Sequence, residues 1–154
     1  MNLFKRIFVR NNKPDVEKKI ADKLFEQTGD AAFLHKTNWI VAFGKKDFKT
    51  AINELNKALV IVPNNAEYFS LRAMTHYSLG NYDEMISDIK SSININPNQK
   101  EAKEFLESLK AEAIQLRDKS RKLASEKKLD EAINIIDIIS NKKLIRSFTY
   151  ICNP

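Results

Sequence analysis

Pro63 and Pro97 stand 34 residues apart, and the side chains leading to each follow the same order. Asp47-Phe48, Ala51-Ile52, Leu55 and Ala58-Leu59 align with Asn81-Tyr82, Met85-Ile86, Ile89 and Ser92-Ile93. A period of this length constrains the chain strongly, because one such unit cannot bury its apolar face alone and must stack on a neighbour. The second copy, Ala66 to Pro97, can be read physically. Asn65 is placed to cap a helix, and Gly80 sits where a left-handed residue ends one. Phe69, Ala73, His76 and Tyr77 follow helical spacing on a broad packing face. After the turn Leu79-Gly80-Asn81-Tyr82, the residues Tyr82, Met85, Ile86, Ile89, Ser92 and Ile93 recur at three- and four-residue steps, until Pro97 stops the helix. The spacing predicts two antiparallel helices joined by a tight turn.

With Phe69, Ala73, Gly80, Tyr82 and Pro97 in the second unit, and Phe48, Ala51, Ala58 and Pro63 in the first, residues 31–97 resemble the tetratricopeptide repeat family. Departures are His35 and Trp39 at the early aromatic and small places of the first unit, Lys46 at its turn glycine, and Met85 and Ser92 where the family has alanine. The bulk of Trp39 predicts either a shifted first helix or an indole turned toward the segment before it. The resemblance implies an all-α, helical-hairpin repeat wound as a right-handed superhelix with flanking capping helices. It also implies a concave groove lined by the first helix of each unit, here Phe33, Lys36, Ile40 and Phe43, then Glu67, Ser70, Met74 and Tyr77. Chaperone-binding members of the family clamp a C-terminal carboxylate with Lys and Asn on the first unit, Asn on the second, and Lys and Arg on the third. Lys36 fills the first of those places, but Ile40 and Leu71 stand at the asparagines, and Glu101 and Phe105 at the last basic pair. A chaperone-tail clamp is not expected.

The flanks are read as follows. Residues 1–13 form a basic amphipathic segment, with Leu3, Phe4, Ile7 and Phe8 on one side and Lys5, Arg6 and Arg10 largely on the other. It is suited either to an anionic membrane surface or to docking onto the repeats. Lys5 and Arg6 interrupt any apolar run, so it does not read as a secretory signal, and lack of serine and shortness weigh against a mitochondrial presequence. Residues 14–30, opened by Pro14 with Val16, Ile20 and Leu24 on one face, read as an N-terminal capping helix with Trp39 as its contact. The two repeats follow at 31–65 and 66–97. Residues 98–140 read as a long solvating helix, capped by Asn98 and running to about Lys127, and a degenerate third hairpin. Ala102, Leu106, Leu109, Ala113, Leu116, Ser120 and Leu123 alternate four- and three-residue steps, the spacing of a coiled-coil seam. Leu129 follows Tyr82 by 47 residues, 13 more than the period. The closing helix, about Asp130 to Ser140, carries Ile133, Ile135, Ile136, Ile138 and Ile139 and needs cover on more than one side. The tail at 141–154, with Leu144, Ile145, Phe148 and Ile151, has the spacing to supply it, and a homodimer seam is the competing source.

No catalytic constellation is present, and an enzyme is not expected. His35 and His76 fall on inward-facing positions without acidic or cysteine companions at ligand spacing, which favours a packing role over metal. Cys152 has no nearby histidine, and glycines number only three, too few for a phosphate loop. The single cysteine and the lack of a long apolar run suit a reducing, cytoplasmic setting, peripheral to the membrane if the first segment inserts. The net charge is +6, concentrated at both ends of the chain. The basic stretch around Arg117, Arg121, Lys122 and Lys128 lacks the interleaved aromatics that stack on single strands, so nucleic acid is not the expected partner. Richness in Asn, Ile and Lys points to an AT-rich, bacterial genome. No cofactor, metal or small-molecule substrate is expected. The expected function is that of an adaptor or scaffold binding a peptide or helix of another protein in the groove.

Overall fold

In the computed structural model, residues 30–144 are described, together with Lys18, Lys19, Asp22 and Lys23, which are helical and exposed. The expected contacts of Leu3, Phe4, Ile7 and Phe8, most of the N-terminal capping helix, and the tail beyond Leu144 lie outside the described residues. Six helices follow one another, with no strand among the described residues: α1 (Ala31–Gly44), α2 (Phe48–Ile61), α3 (Ala66–Leu79), α4 (Tyr82–Ile95), α5 (Lys100–Ser125) and α6 (Leu129–Asn141). The chain divides into two compact units, Met1–Ala102 and Lys103–Pro154, so the division falls inside α5 rather than at Pro97.

Local chemistry sets the helix ends. Carboxylates of Asp30 and Asp47 accept the N–H groups of Phe33 and Thr50 at 3.0 and 3.2 Å, and the Asn65 carbonyl accepts that of Tyr68 at 3.0 Å. Val62 and Asn96, each preceding a proline, have φ of −128° and −142°, the extended backbone that a following proline ring imposes. Pro63 and Pro97 thereby end α2 and α4. The turns from α1 to α2, α3 to α4 and α5 to α6 share one backbone form. Lys46, Gly80 and Lys127 have φ of 60°, 82° and 61°. Their N–H groups bond to the carbonyls of Phe43, Tyr77 and Ala124, while the next N–H in each case bonds to Ala42, His76 and Leu123. The third hairpin therefore keeps the repeat's turn although its sequence period is broken.

In the first unit, α1 packs on α2, α2 on α3 and α3 on α4. Ala51, Leu55, Ala58, Ala73, Met74, Met85 and Ile89 form its core. Each turn is clasped by an aromatic pair at equivalent positions, Phe43 with Phe48 at 5.3 Å between centroids and Tyr77 with Tyr82 at 5.8 Å. Trp39 has a partner that the sequence reading did not foresee, while its expected contact with the capping helix lies outside the described residues. Its indole N–H donates to Thr75 Oγ1 at 2.9 Å, and its ring lies 5.2 Å from that of Phe43, so it is spent on the second hairpin's first helix.

α5 is one continuous helix of 26 residues, about 39 Å long at the usual rise. Of its expected seam, Leu106, Leu109 and Ser120 are buried in the second unit, while Ala113, Leu116 and Leu123 are half-buried. Ser120 Oγ donates to the Ala132 carbonyl at 3.1 Å, and Lys142 reaches Glu112 at 2.7 Å. On α6, Ala132, Ile135 and Ile139 face inward.

Candidate binding face

α1 and α3 stand side by side, joined by the Trp39–Thr75 hydrogen bond and by an ion pair of Lys36 Nζ with Glu67 Oε1 at 2.5 Å. Of the eight residues expected to line a groove, Phe33, Lys36, Ile40, Glu67 and Tyr77 are half-exposed. Phe33, Lys36 and Ile40 recur at three- and four-residue steps along one side of α1. The other three are core residues and offer a partner no surface. Phe43 is buried in the aromatic clasp, and Met74 is 1% exposed. Ser70 is fully enclosed, its hydroxyl sharing a 2.6 Å hydrogen bond with Ser92 and donating to the Ala66 carbonyl at 3.0 Å. The physical reason is that α3 is packed on both α2 and α4, so more of its circumference is covered than a single hairpin's pattern suggests.

Beneath the face lies a repeated polar clasp that the sequence reading missed. In the first hairpin Glu54 accepts from His35 Nδ1 at 2.8 Å, Asn38 Nδ2 at 3.0 Å and Lys57 Nζ at 2.9 Å. At the equivalent position 34 residues on, Asp88 takes both Nε and Nη2 of Arg72, at 2.8 and 2.7 Å, with His76 Nε2 at 3.7 Å. Both histidines thus have acidic companions, across the hairpin rather than at local spacing. A pair of acids one period apart on otherwise apolar faces was the available signal. Burial acts to raise the Glu54 pKa, but the hydrogen bonds from His35, Lys57 and Asn38 outweigh it and hold it at about 2. For His76, burial dominates and lowers the pKa against the opposing pull of Asp88. Among the described residues, no group of three His, Cys, Asp or Glu side chains is placed to hold a metal ion.

A polar cleft of about 500 Å³ opens at the start of α3, lined by Asn64, Asn65, Glu67, Asn96, Gln99 and Glu101 among others. Glu67 borders both this cleft and the face. Side-chain amides there offer paired donors and acceptors, the complement of an extended backbone. This cleft was also missed, for of its asparagines only Asn65 stood out in the sequence, as a cap. No helix among the described residues is long and apolar enough to cross a membrane.

The arrangement is a stack of helical hairpins presenting a preformed face, which is the class of a helical-repeat protein. Residues 66–99 match the sequence profile of the tetratricopeptide repeat. The chain is 35% identical over 100 residues to the small glutamine-rich tetratricopeptide repeat-containing protein 2 of Saccharomyces cerevisiae, covering 63% of this chain and 29% of that one. Over 82 residues it is 35% identical to the SGT1 homolog of Bos taurus, covering 53% and 21%. Over 56 residues it is 39% identical to the Hsp70-Hsp90 organizing protein 2 of Arabidopsis thaliana, covering 36% and 10%. The chain spans less than a third of the length of each of these relatives. Residues 66–99 are thus similar to a tetratricopeptide repeat, and the chain to proteins that contain such repeats.

Proposed function

We propose that the chain is a non-catalytic adaptor that binds a peptide or helix of another protein on the face of α1 and α3. The observation that carries this reading is the Lys36–Glu67 ion pair set among half-exposed Phe33, Ile40 and Tyr77 on rigid helices. Apolar anchors flanked by a charge pair suit an amphipathic helix or an extended apolar segment, with the amide-lined cleft receiving its backbone. The pairing of Lys36 also bears on ligand chemistry. A lysine already neutralised by Glu67 is a poor receptor for a free carboxylate, and Leu71 and Phe105 are buried where a clamp would need polar side chains. The name of the Arabidopsis relative speaks of Hsp70 and Hsp90. For this chain the residues favour recognition of an internal apolar segment over that of a chain terminus.

The test is affinity capture from the native cell with the wild type and with Phe33→Glu combined with Ile40→Glu, after circular dichroism shows both folded. The expected outcome is a protein enriched by wild type and lost by the variant. Equal capture by both would remove the face from consideration.

A further inference from the structure

Glu67 and Glu101 lie 34 residues apart and hold equivalent places in the first turns of α3 and α5. Both line the cleft of about 500 Å³, together with the amides of Asn64, Asn96 and Gln99, and Ile95, 39% exposed, gives it an apolar wall. The equivalent place on α1 is taken by Phe33, with Lys36 three residues on. Along successive first helices the charge therefore runs from Lys36 on α1 through Glu67 on α3 to Glu101 on α5. The apolar anchors Phe33 and Ile40 stand at the basic end of this gradient, and the cleft at the acidic end.

Hydrogen bonding within the cleft leaves it rich in acceptors. Gln99 Nε2 donates to Glu101 Oε2, Asn96 Nδ2 to Gln99 Oε1 at 3.4 Å, and Asn96 Oδ1 takes the Asn98 N–H at 3.0 Å. Lys36 occupies one oxygen of Glu67. Among the described residues this leaves the second oxygen of each carboxylate, and a carboxylate only accepts. No lysine, arginine or histidine lines the cleft, although the chain's net charge is +6. The amino ends of α3 and α5 draw negative charge, but Glu67 and Glu101 already answer it, and a further anion would meet like charge. A guanidinium suits the site better than an ammonium. Its planar fork of donors matches carboxylate oxygens, and its apolar stem can lie along Ile95.

We propose that the segment bound on the face carries an arginine, placed toward α5 from its apolar anchors, whose guanidinium enters the cleft between Glu67 and Glu101. The position of the anchors rests on the adaptor reading above, whereas the preference of the cleft can be measured without them.

The test follows the side-chain amide signals of Asn64, Asn65, Asn96 and Gln99 by NMR in the full chain while N-acetyl-arginine methylamide is added. The citrulline analogue serves as its uncharged isostere. Saturable shifts at these amides are expected with arginine, with binding about tenfold weaker for citrulline, since a charge-assisted bond is lost. Glu101→Gln keeps the side chain's shape and should weaken arginine binding by a similar factor. Equal binding of citrulline, unchanged binding by Glu101→Gln, or shifts spread equally to Glu126 and Asp130 each overturn the proposal. Phe33→Glu combined with Ile40→Glu touches no residue that lines the cleft and should bind arginine as the wild type does. Partner capture lost in that variant, without arginine binding by the wild type, keeps the adaptor reading and overturns this one. Arginine binding with capture unchanged by that variant faults the adaptor face and not the cleft.

Discussion

Glu54 and Asp88 have little contact with water and are held by hydrogen bonds from the facing helix, so each couples the two helices of its hairpin through one carboxylate. The Glu54 pKa falls on folding from its ordinary 4.5 to about 2. A group depressed in this way contributes stability that is fully present above about 4.5 and is lost as the pH drops through about 2. His76, also depressed, adds a loss in the same direction as the pH falls below its ordinary 6.5, because the unfolded imidazole accepts the proton more readily. Urea midpoints measured between pH 7 and pH 2 are expected to fall with acidification. Glu54→Gln should flatten the lower part of that curve and cost about 1–3 kcal/mol at neutral pH, as three donors lose their charged acceptor. Arg72→Ala leaves Asp88, 5% exposed, without its bidentate partner and should cost about 3 kcal/mol in urea denaturation.

The hairpin turn is set by its backbone, and different residues occupy its left-handed position. Lys46 and Lys127 bear a Cβ at φ near 60°, where a side chain costs about 1–2 kcal/mol, whereas Gly80 does not. Lys46→Gly and Lys127→Gly should therefore raise the melting temperature, each by up to about 1 kcal/mol of stability, once glycine's entropy is subtracted. Gly80→Ala should lower it by a similar amount. Its cause is backbone strain, for the nearest atom to an added Cβ is the Tyr82 hydroxyl at 4.0 Å. Opposite signs at equivalent positions would be the informative result. At the other end of the same helix, Asn65→Ala removes the acceptor for the Tyr68 amide and should cost about 1 kcal/mol.

For the molecule as a whole, the distinction that matters is between residues that build the proposed binding face and residues that are only near it in sequence. Ile40 and Met74 occupy equivalent places on α1 and α3, yet one is half-exposed and the other is 1% exposed. Ile40→Glu should change stability by no more than about 1 kcal/mol while removing partner capture. Met74→Glu places a carboxylate in the core and should cost more than about 4 kcal/mol, seen as loss of the cooperative thermal transition. A comparable loss from Ile40→Glu would mean that its side chain belongs to the core.

The helices and the two proline stops were legible in the sequence, because they depend on neighbours within a turn or two: Asn65 as a cap, Gly80 as a left-handed terminator, Pro63 and Pro97 as breakers. The 34-residue period likewise carried the stacking of hairpins, since a periodic apolar face has few other ways to leave water. The occupancy of each face was not legible. Whether Met74 or Ile40 is open, whether Trp39 turns backward or toward Thr75, and whether Glu54 and Asp88 are solvated or clasped depend on which helix lies across from them. Helical periodicity specifies one face modulo a turn. Only the packing of α3 between α2 and α4 decides how much of its circumference is left for a partner.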